Sequence, residues 1–236
     1  MRVLLLVLEG PLLAFGAEAV DARGVVGDFP AASMLTGLLA NALGWRRSDW
    51  AKLDALQARL RFAARIDREG ARIADYQTAR LFEDEVGWTT RGHPESRNKS
   101  PSYSRDKNGR RSLTYERRRD YDADKCVTVA LCLDPADVVP TLDDLAAALR
   151  APARPLFLGR KPCLPERPVF EALVDAPGLL EAFPPLRETA RVLLPGDLPA
   201  ERHDERRAVT DLRNWTSGVH GGQRSVLVRH LPGRPV

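Results

Sequence analysis

A chain of 236 residues with 44% hydrophobic and 29% charged residues is long enough for one large domain or two small ones with ample core. No stretch approaches the roughly 20 apolar residues of a membrane-spanning helix, and three cysteines, Cys126, Cys132 and Cys163, are odd in number and lack metal-ligand spacing. The formal net charge of +4 is unevenly spread: between Arg91 and Arg119 eight Arg and two Lys face Glu95, Asp106 and Glu116, a local +7 that leaves −3 for the rest. Such a window argues for a localised polyanion-binding element.

Val3 to Leu8 is an unbroken apolar run, expected as a strand buried on both faces and stopped by Gly10-Pro11. Glu9 interrupts the run too early for a secretory signal. Ser33 is placed to cap a helix whose Leu35, Leu38, Leu39, Ala42 and Leu43 recur at helical spacing, with Gly44 ending it. Gly37 inside that helix calls for close approach of a backbone or a ligand, and a tight helix–sheet contact is the plainer expectation. Ser48-Asp49 opens a second helix with Trp50, Leu53, Leu56 and Leu60 on one face. Arg61 to Asp67 and Arg72 to Tyr76 are expected as two short strands joined in a hairpin at Glu69-Gly70.

Aliphatic residues nearly vanish from Glu83 to Arg119, a segment that cannot bury enough surface to order itself alone. Within it Asn108-Gly109 is a strong hairpin signal, and a two-residue turn there pairs Lys107 with Arg110, Arg105 with Ser112 and Tyr103 with Thr114 on one face. Lys125 to Asp134 is a β-branched-rich strand with Cys126 and Cys132 on one side, and Thr141 caps a helix from Leu142 to Arg150. A proline-bounded segment leads to Leu156-Phe157-Leu158 and a Gly159-Arg160-Lys161 loop; short strands follow at Phe170 to Val174, Ala190 to Leu194 and Ser225 to Leu231. Without the basic insertion the order is close to βαββαβ, so the fold expected is α+β: a ferredoxin-like (RRM-like) palm, an inserted basic β-hairpin and a β-rich C-terminal extension. The boundaries are palm 1–75, insertion 76–124 and continued palm 125–236.

Gly10-Pro11 to Gly16, Gly27-Asp28-Phe29-Pro30, Ser33 to Leu39, Asp75-Tyr76-Gln77-Thr78 and Leu156 to Cys163 together resemble, in the same order, the signature of the CasD family of CRISPR-associated proteins. Met34 stands where that family often has glycine. The resemblance implies a non-catalytic RNA-binding subunit that caps the 5′ handle of a CRISPR guide RNA (crRNA) in a type I-E Cascade complex and helps assemble it for antiviral defence. It implies a thumb at about Tyr76 to Asp124 and partners that include crRNA and the backbone, large and endonuclease subunits. Target DNA is met only through the complex, and no membrane partner, metal or cofactor is implied. Reduced thiols fit a cytoplasmic location.

The RNA-binding residues expected are Arg91, Arg97, Lys99, Tyr103, Arg105, Lys107, Arg110, Arg111, Tyr115 and Arg117 in the basic segment, with Arg160 and Lys161 as a second contact. Cations hold phosphates, and Tyr103 or Tyr115 offers a ring on which a splayed base stacks. The histidines carry little chemistry by position: His93 stands beside Pro94, His203 in a charged run, His220 in a glycine-rich loop and His230 in the last strand. The enzymatic alternative is a metal-independent endoribonuclease that processes repeat RNA, with His93, Tyr103 or Tyr115, and Lys99 as its acid–base candidates. A DNA-binding accessory protein is a third class.

Overall fold

The apolar run at the N-terminus forms an interior strand of a ten-stranded sheet in a computed structural model that describes residues 1–17, 23–82, 87–88, 94–95, 104–105 and 107–233. In chain order the elements are β1 (Arg2–Leu13), β2 (Arg23–Gly24), α1 (Ala32–Ala42), α2 (Trp50–Arg59), β3 (Leu60–Arg68), β4 (Ala71–Phe82), β5 (Gly87–Trp88), β6 (Pro94–Glu95), β7 (Ser104–Arg105), β8 (Arg111–Leu133), α3 (Leu142–Arg150), β9 (Phe170–Asp175), β10 (Ala190–Pro195), β11 (Glu205–Val209) and β12 (Arg224–Leu231). The large sheet runs β11-β12-β10-β3-β8-β1-β9, with β2, β4 and β7 attached to β8 and a separate β5–β6 pair. Only the short β2–β8 contact is parallel among the described pairs.

Alternate residues of the central strands serve two cores. Leu4, Leu6 and Leu8 of β1 pack with Phe62, Val129, Leu131 and the apolar faces of α1 and α3. On the opposite face Val3 and Leu5 meet Ala63, Ala130, Val192 and Leu194 beneath Ala176, Leu179 and Ala182. The expected strand buried on both faces is therefore observed.

Two local expectations change. Helix α1 begins at Ala32, and Ser33 makes no cap; Asp211 accepts from the backbone N–H of Ala32 through Oδ2 and of Ser33 through its carbonyl, each at 3.0 Å. Asp211 is in turn held by Arg224, at 2.7–3.0 Å, so the N-terminus of α1 is satisfied from across the fold. Gly44 does end the helix, with Trp45 N–H bonded to Ala40 O at 2.9 Å. In α2 Leu53 and Leu56 are buried, but Trp50 points outward. Thr141 caps α3 through a reciprocal box with Asp144, as expected.

The larger correction concerns Glu69-Gly70. These residues do not turn the chain back, because β3 and β4 both pair antiparallel with the same strand, β8: Leu60 opposes Leu133, Ile66 opposes Val127, Ala71 opposes Ala123 and Phe82 opposes Ser112. A one-residue register shift between Ile66 and Arg68 absorbs the irregularity. The chain bends here and continues along one partner. At the C-terminal side β9, β10 and β12 lie where expected, and β11 forms from the charged run around His203, an edge strand whose exposed charges gave no apolar alternation.

The bend constrains one residue tightly. Gly70 has φ +66°, and a β-carbon on it would stand 2.2 Å from Ala123 O and 2.9 Å from Lys125 N. Gly109 also has positive φ but faces open space. Gly70→Ala is expected to destabilise the protein by about 3 kcal/mol, combining backbone strain with a clash against backbone atoms, whereas Gly109→Ala should cost about 1 kcal/mol. Urea unfolding of the two variants checks the difference, and equal midpoints would mean that the bend relaxes freely.

Candidate nucleic-acid interface

Strand β8 is long enough to do two things. Its C-terminal half lies in the core, while its N-terminal half pairs with β4 as a two-stranded ribbon about 40 Å long at 3.3 Å per residue. The ribbon is exposed on both faces: Ile73 is 42%, Tyr76 51% and Tyr115 40% accessible. Cross-strand pairs must therefore hold it together.

Alternation sorts the charges. On one face Arg117 opposes Gln77 and Arg119 opposes Asp75, with Tyr115 opposite Ala79 further out. Gln77 donates to Asp75 at 2.5 Å on the same face. On the other face Arg118 lies over the Tyr76 ring at 5.5 Å, and a hydrogen bond to Glu116 raises the pKa of the Tyr76 hydroxyl. Near the tip the Arg110 guanidinium stacks on Phe82 at 3.7 Å.

The tip register differs by one residue from the expected one. Arg105 opposes Arg111, where Ser112 was expected, and Ser104 opposes Ser112. A two-residue hairpin turn of type I′ or II′ needs positive φ at its first central residue, here Asn108, and of the two only Gly109, at +76°, has it. Arg105, Lys107, Arg110 and Arg117 are exposed and Arg111 is half-buried. Arg91, Arg97, Lys99 and Tyr103 lie outside the described residues, as does His93.

A network of charge anchors the ribbon's base. Lys125, only 1% exposed, donates to Asp122 at 3.1 Å, and Arg72 donates to the other oxygen of that carboxylate at 2.7 Å. Arg191 bonds both oxygens of Glu69, at 2.8 and 2.9 Å, and holds that carboxyl below its ordinary pKa. Arg160 joins three pieces: its guanidinium donates to Asp120 O at 2.7 Å and Gly24 O at 2.8 Å and lies over the Tyr121 ring. Lys161 beside it is exposed.

Next to Arg160 opens a groove of about 520 Å³ across α1, lined among others by Met34, Gly37, Arg213, Trp215 and His220. Gly37 is not at a tight backbone contact: a β-carbon there would meet only the Trp215 ring edge, at 3.7 Å. Glycine at that position instead lowers the groove floor. The residues that sequence reasoning missed are Arg118, Arg119, Arg80 and Tyr76 on the ribbon, and Arg213, Trp215 and His220 at the groove. The three consecutive arginines Arg117 to Arg119 were the available signal for the first group; the second is assembled from distant chain segments and had none.

No thiol here is poised for chemistry among the described residues. The three cysteines are free and buried, and burial pushes the Cys126 thiol up to about 11. No group of three metal-ligating side chains occurs among the described residues.

The family model described as CRISPR-associated protein (Cas_Cas5) matches residues 3–227. The CRISPR system Cascade subunit CasD of Escherichia coli (strain K12) is 30% identical over 167 residues, covering 71% of this chain and 69% of that protein. Among solved structures, a chain of a CRISPR RNA-guided surveillance complex superposes with a TM-score of 0.64 at 24% identity, covering 98% of this chain and 90% of its own. The crystal structure of a Cas protein gives 0.58 at 24% identity, with 98% and 94% covered. These two similarities concern the fold.

Because both donated hydrogen bonds of Arg160 end on backbone carbonyls at the ribbon base, Arg160→Ala should lower stability by about 1–3 kcal/mol. Arg160→Lys should recover less than half of that, since an ammonium lacks the planar fork that reaches both carbonyls. Thermal unfolding of the two variants reads this; a midpoint unchanged in Arg160→Ala would make Arg160 an ordinary surface cation.

Proposed function

The chain belongs to the Cas_Cas5 family of CRISPR-associated proteins, and we propose that it is a non-catalytic RNA-binding subunit of a Cascade complex, holding the 5′ handle of the crRNA. The observation that carries this reading is the ribbon: two strands projecting from the core, exposed on both faces, with Arg80, Arg117, Arg118 and Arg119 along them and Arg105 and Lys107 at the tip. A groove lined by Arg160, Arg213 and Trp215 opens at its foot. Cations spaced along an extended element suit a phosphate backbone, and Tyr115 offers a stacking surface for an unpaired base.

In this reading the body is a ferredoxin-like palm. The order β3-β8-β1-β9 supports it, with α1 and α2 between β1 and β3 and α3 between β8 and β9. Residues 76–124 are the thumb, and 1–75 with 125–236 make the palm and its β-rich extension. Arg91, Arg97, Lys99, Tyr103, Arg105, Lys107, Arg110, Arg111, Tyr115 and Arg117 contribute the thumb's contacts, Lys161 adds an exposed cation, and Arg160 sets the thumb's position. The partners are crRNA and the backbone, large and endonuclease subunits in the cytoplasm, with target DNA met through the complex.

The salt dependence of RNA binding tests the assignment. Each neutralised phosphate on a single strand contributes about −0.7 to the slope of log affinity against log salt. Replacing Arg105, Lys107, Arg117 and Arg119 by alanine should flatten that slope by about 3, while Tyr115→Ala should lose about 1–3 kcal/mol of affinity with the slope kept. A parental slope in the fourfold variant would place the RNA elsewhere. Sequence-specific cleavage of repeat RNA in chelator, abolished by His93→Ala, would overturn the non-catalytic reading.

A further inference from the structure

The groove continues past Gly37 to a second basic cluster, in a space of about 220 Å³ lined by Trp45, Arg46, Arg47, Arg213 and Trp215 among others. Two guanidinium groups converge there. The position that a β-carbon on Gly218 would take lies 2.6 Å from Arg47 Nη2 and 3.5 Å from Arg213 Nη2. Neither arginine forms an ion pair among the described residues. The carboxylates of α2 and its N-terminal edge are engaged otherwise: Asp49 accepts from the Arg46 backbone N–H at 2.8 Å and Asp54 from that of Trp215 at 3.4 Å.

The cluster is built, not merely exposed. Gln57 grips the Arg213 backbone from both sides, donating to its carbonyl at 2.9 Å and accepting from its N–H at 3.1 Å. Arg213 Nη2 donates to Gly218 O at 2.7 Å, closing a turn also tied by Gly218 N–H to Asn214 O at 2.8 Å. Its guanidinium lies 5.3 Å from the centre of the Trp215 ring. Arg213 Nε and Trp215 Nε1 are buried with no acceptor among the described residues, a costly arrangement unless a ligand or solvent supplies one. Burial, and then the nearby charge of Arg47, lower the pKa of Arg213.

We propose that Arg47 and Arg213 form a phosphate-binding site that takes one phosphodiester group of a nucleic-acid strand lying over α1, distinct from the ribbon contacts. A tetrahedral oxyanion between two guanidinium forks satisfies donors on both and removes their mutual repulsion. The bound nucleic acid rests on the function proposed above; the oxyanion chemistry does not. The two spaces share Gly37, Asn41, Arg213 and Trp215 in their linings, so one strand can reach both.

The test uses the full chain and Arg47→Gln, an exposed substitution that leaves the Gln57 clamp intact, with Arg213→Gln as a second variant. Two probes are titrated: inorganic phosphate at constant ionic strength, read by the thermal midpoint, and single-stranded RNA with either a 5′-hydroxyl or a 5′-phosphate, read by anisotropy across salt. The expected result is a midpoint that rises with phosphate in the parent and less in Arg47→Gln, together with a salt slope for RNA that falls by about 0.7 in the variant. Equal losses for the two RNA ends support an internal phosphodiester. A loss confined to 5′-phosphorylated RNA overturns that assignment in favour of a terminal phosphate. A phosphate response without any change in RNA slope overturns the nucleic-acid ligand, and no response to either probe overturns the site. The fourfold ribbon variant, measured alongside, separates these results from failure of the RNA-binding reading itself: RNA binding that depends on the ribbon while Arg47→Gln is silent removes only the second site.

Discussion

The contact on which most of the structure depends is the close approach of Gly70 to the backbone of Ala123 to Lys125. It is where a strand that begins in the core leaves it without losing its partner. Asp124 takes φ +55° on the opposing strand, and Arg68 fixes that bend by donating to both its carbonyl and its carboxylate at 2.8 Å. Arg68 also reaches Glu9 on β1 at 2.9 Å, so three strands are tied at one corner. A side chain at Gly70 would separate the two strands where the ribbon's direction is set.

This arrangement explains how so polar a ribbon keeps its register. A strand without a buried face has weak register, because nothing penalises a slip. Here the register is inherited: β8 is continuous from the core, where Val127, Val129 and Leu131 are fully buried, to Arg111 at the tip. Slipping the ribbon by one residue would also turn those core residues outward. The buried Asp122–Lys125 pair strengthens the boundary, since removing Asp122 strands the Lys125 ammonium where water cannot reach it. The ribbon can therefore spend its side chains on charge without needing them for alignment.

What was legible in the sequence follows from the same physics. Val3 to Leu8, Thr141 to Arg150 and Gly44 announced themselves because periodicity and capping are local properties. The helix start at Ala32 was misassigned because its cap is Asp211, distant in the chain. Glu69-Gly70 has the composition of a hairpin turn, and only knowledge of the partner strand distinguishes a turn from a bend. The basic segment was legible as a cationic hairpin, but its one-residue register depends on backbone angles at Asn108 that composition does not encode. Gly37 was recognised as anomalous, and its meaning came from Trp215, a residue brought to it by the C-terminal extension.

The C-terminal extension is thereby more than a continuation of the sheet. Its strands β10, β12 and β11 extend the edge beyond β3, but the loop between β11 and β12 returns over α1 carrying Asp211, Arg213, Trp215 and His220. One loop therefore caps the helix, walls the groove and supplies one of its cations, Arg213. Asp211 links these roles physically, because the same carboxylate accepts from Ala32 N–H and from Arg224 at the start of β12. A substitution that loosens Asp211 would fray the first turn of α1 and displace the groove wall together. Groove geometry is in this way coupled to helix stability, just as ribbon register is coupled to the core.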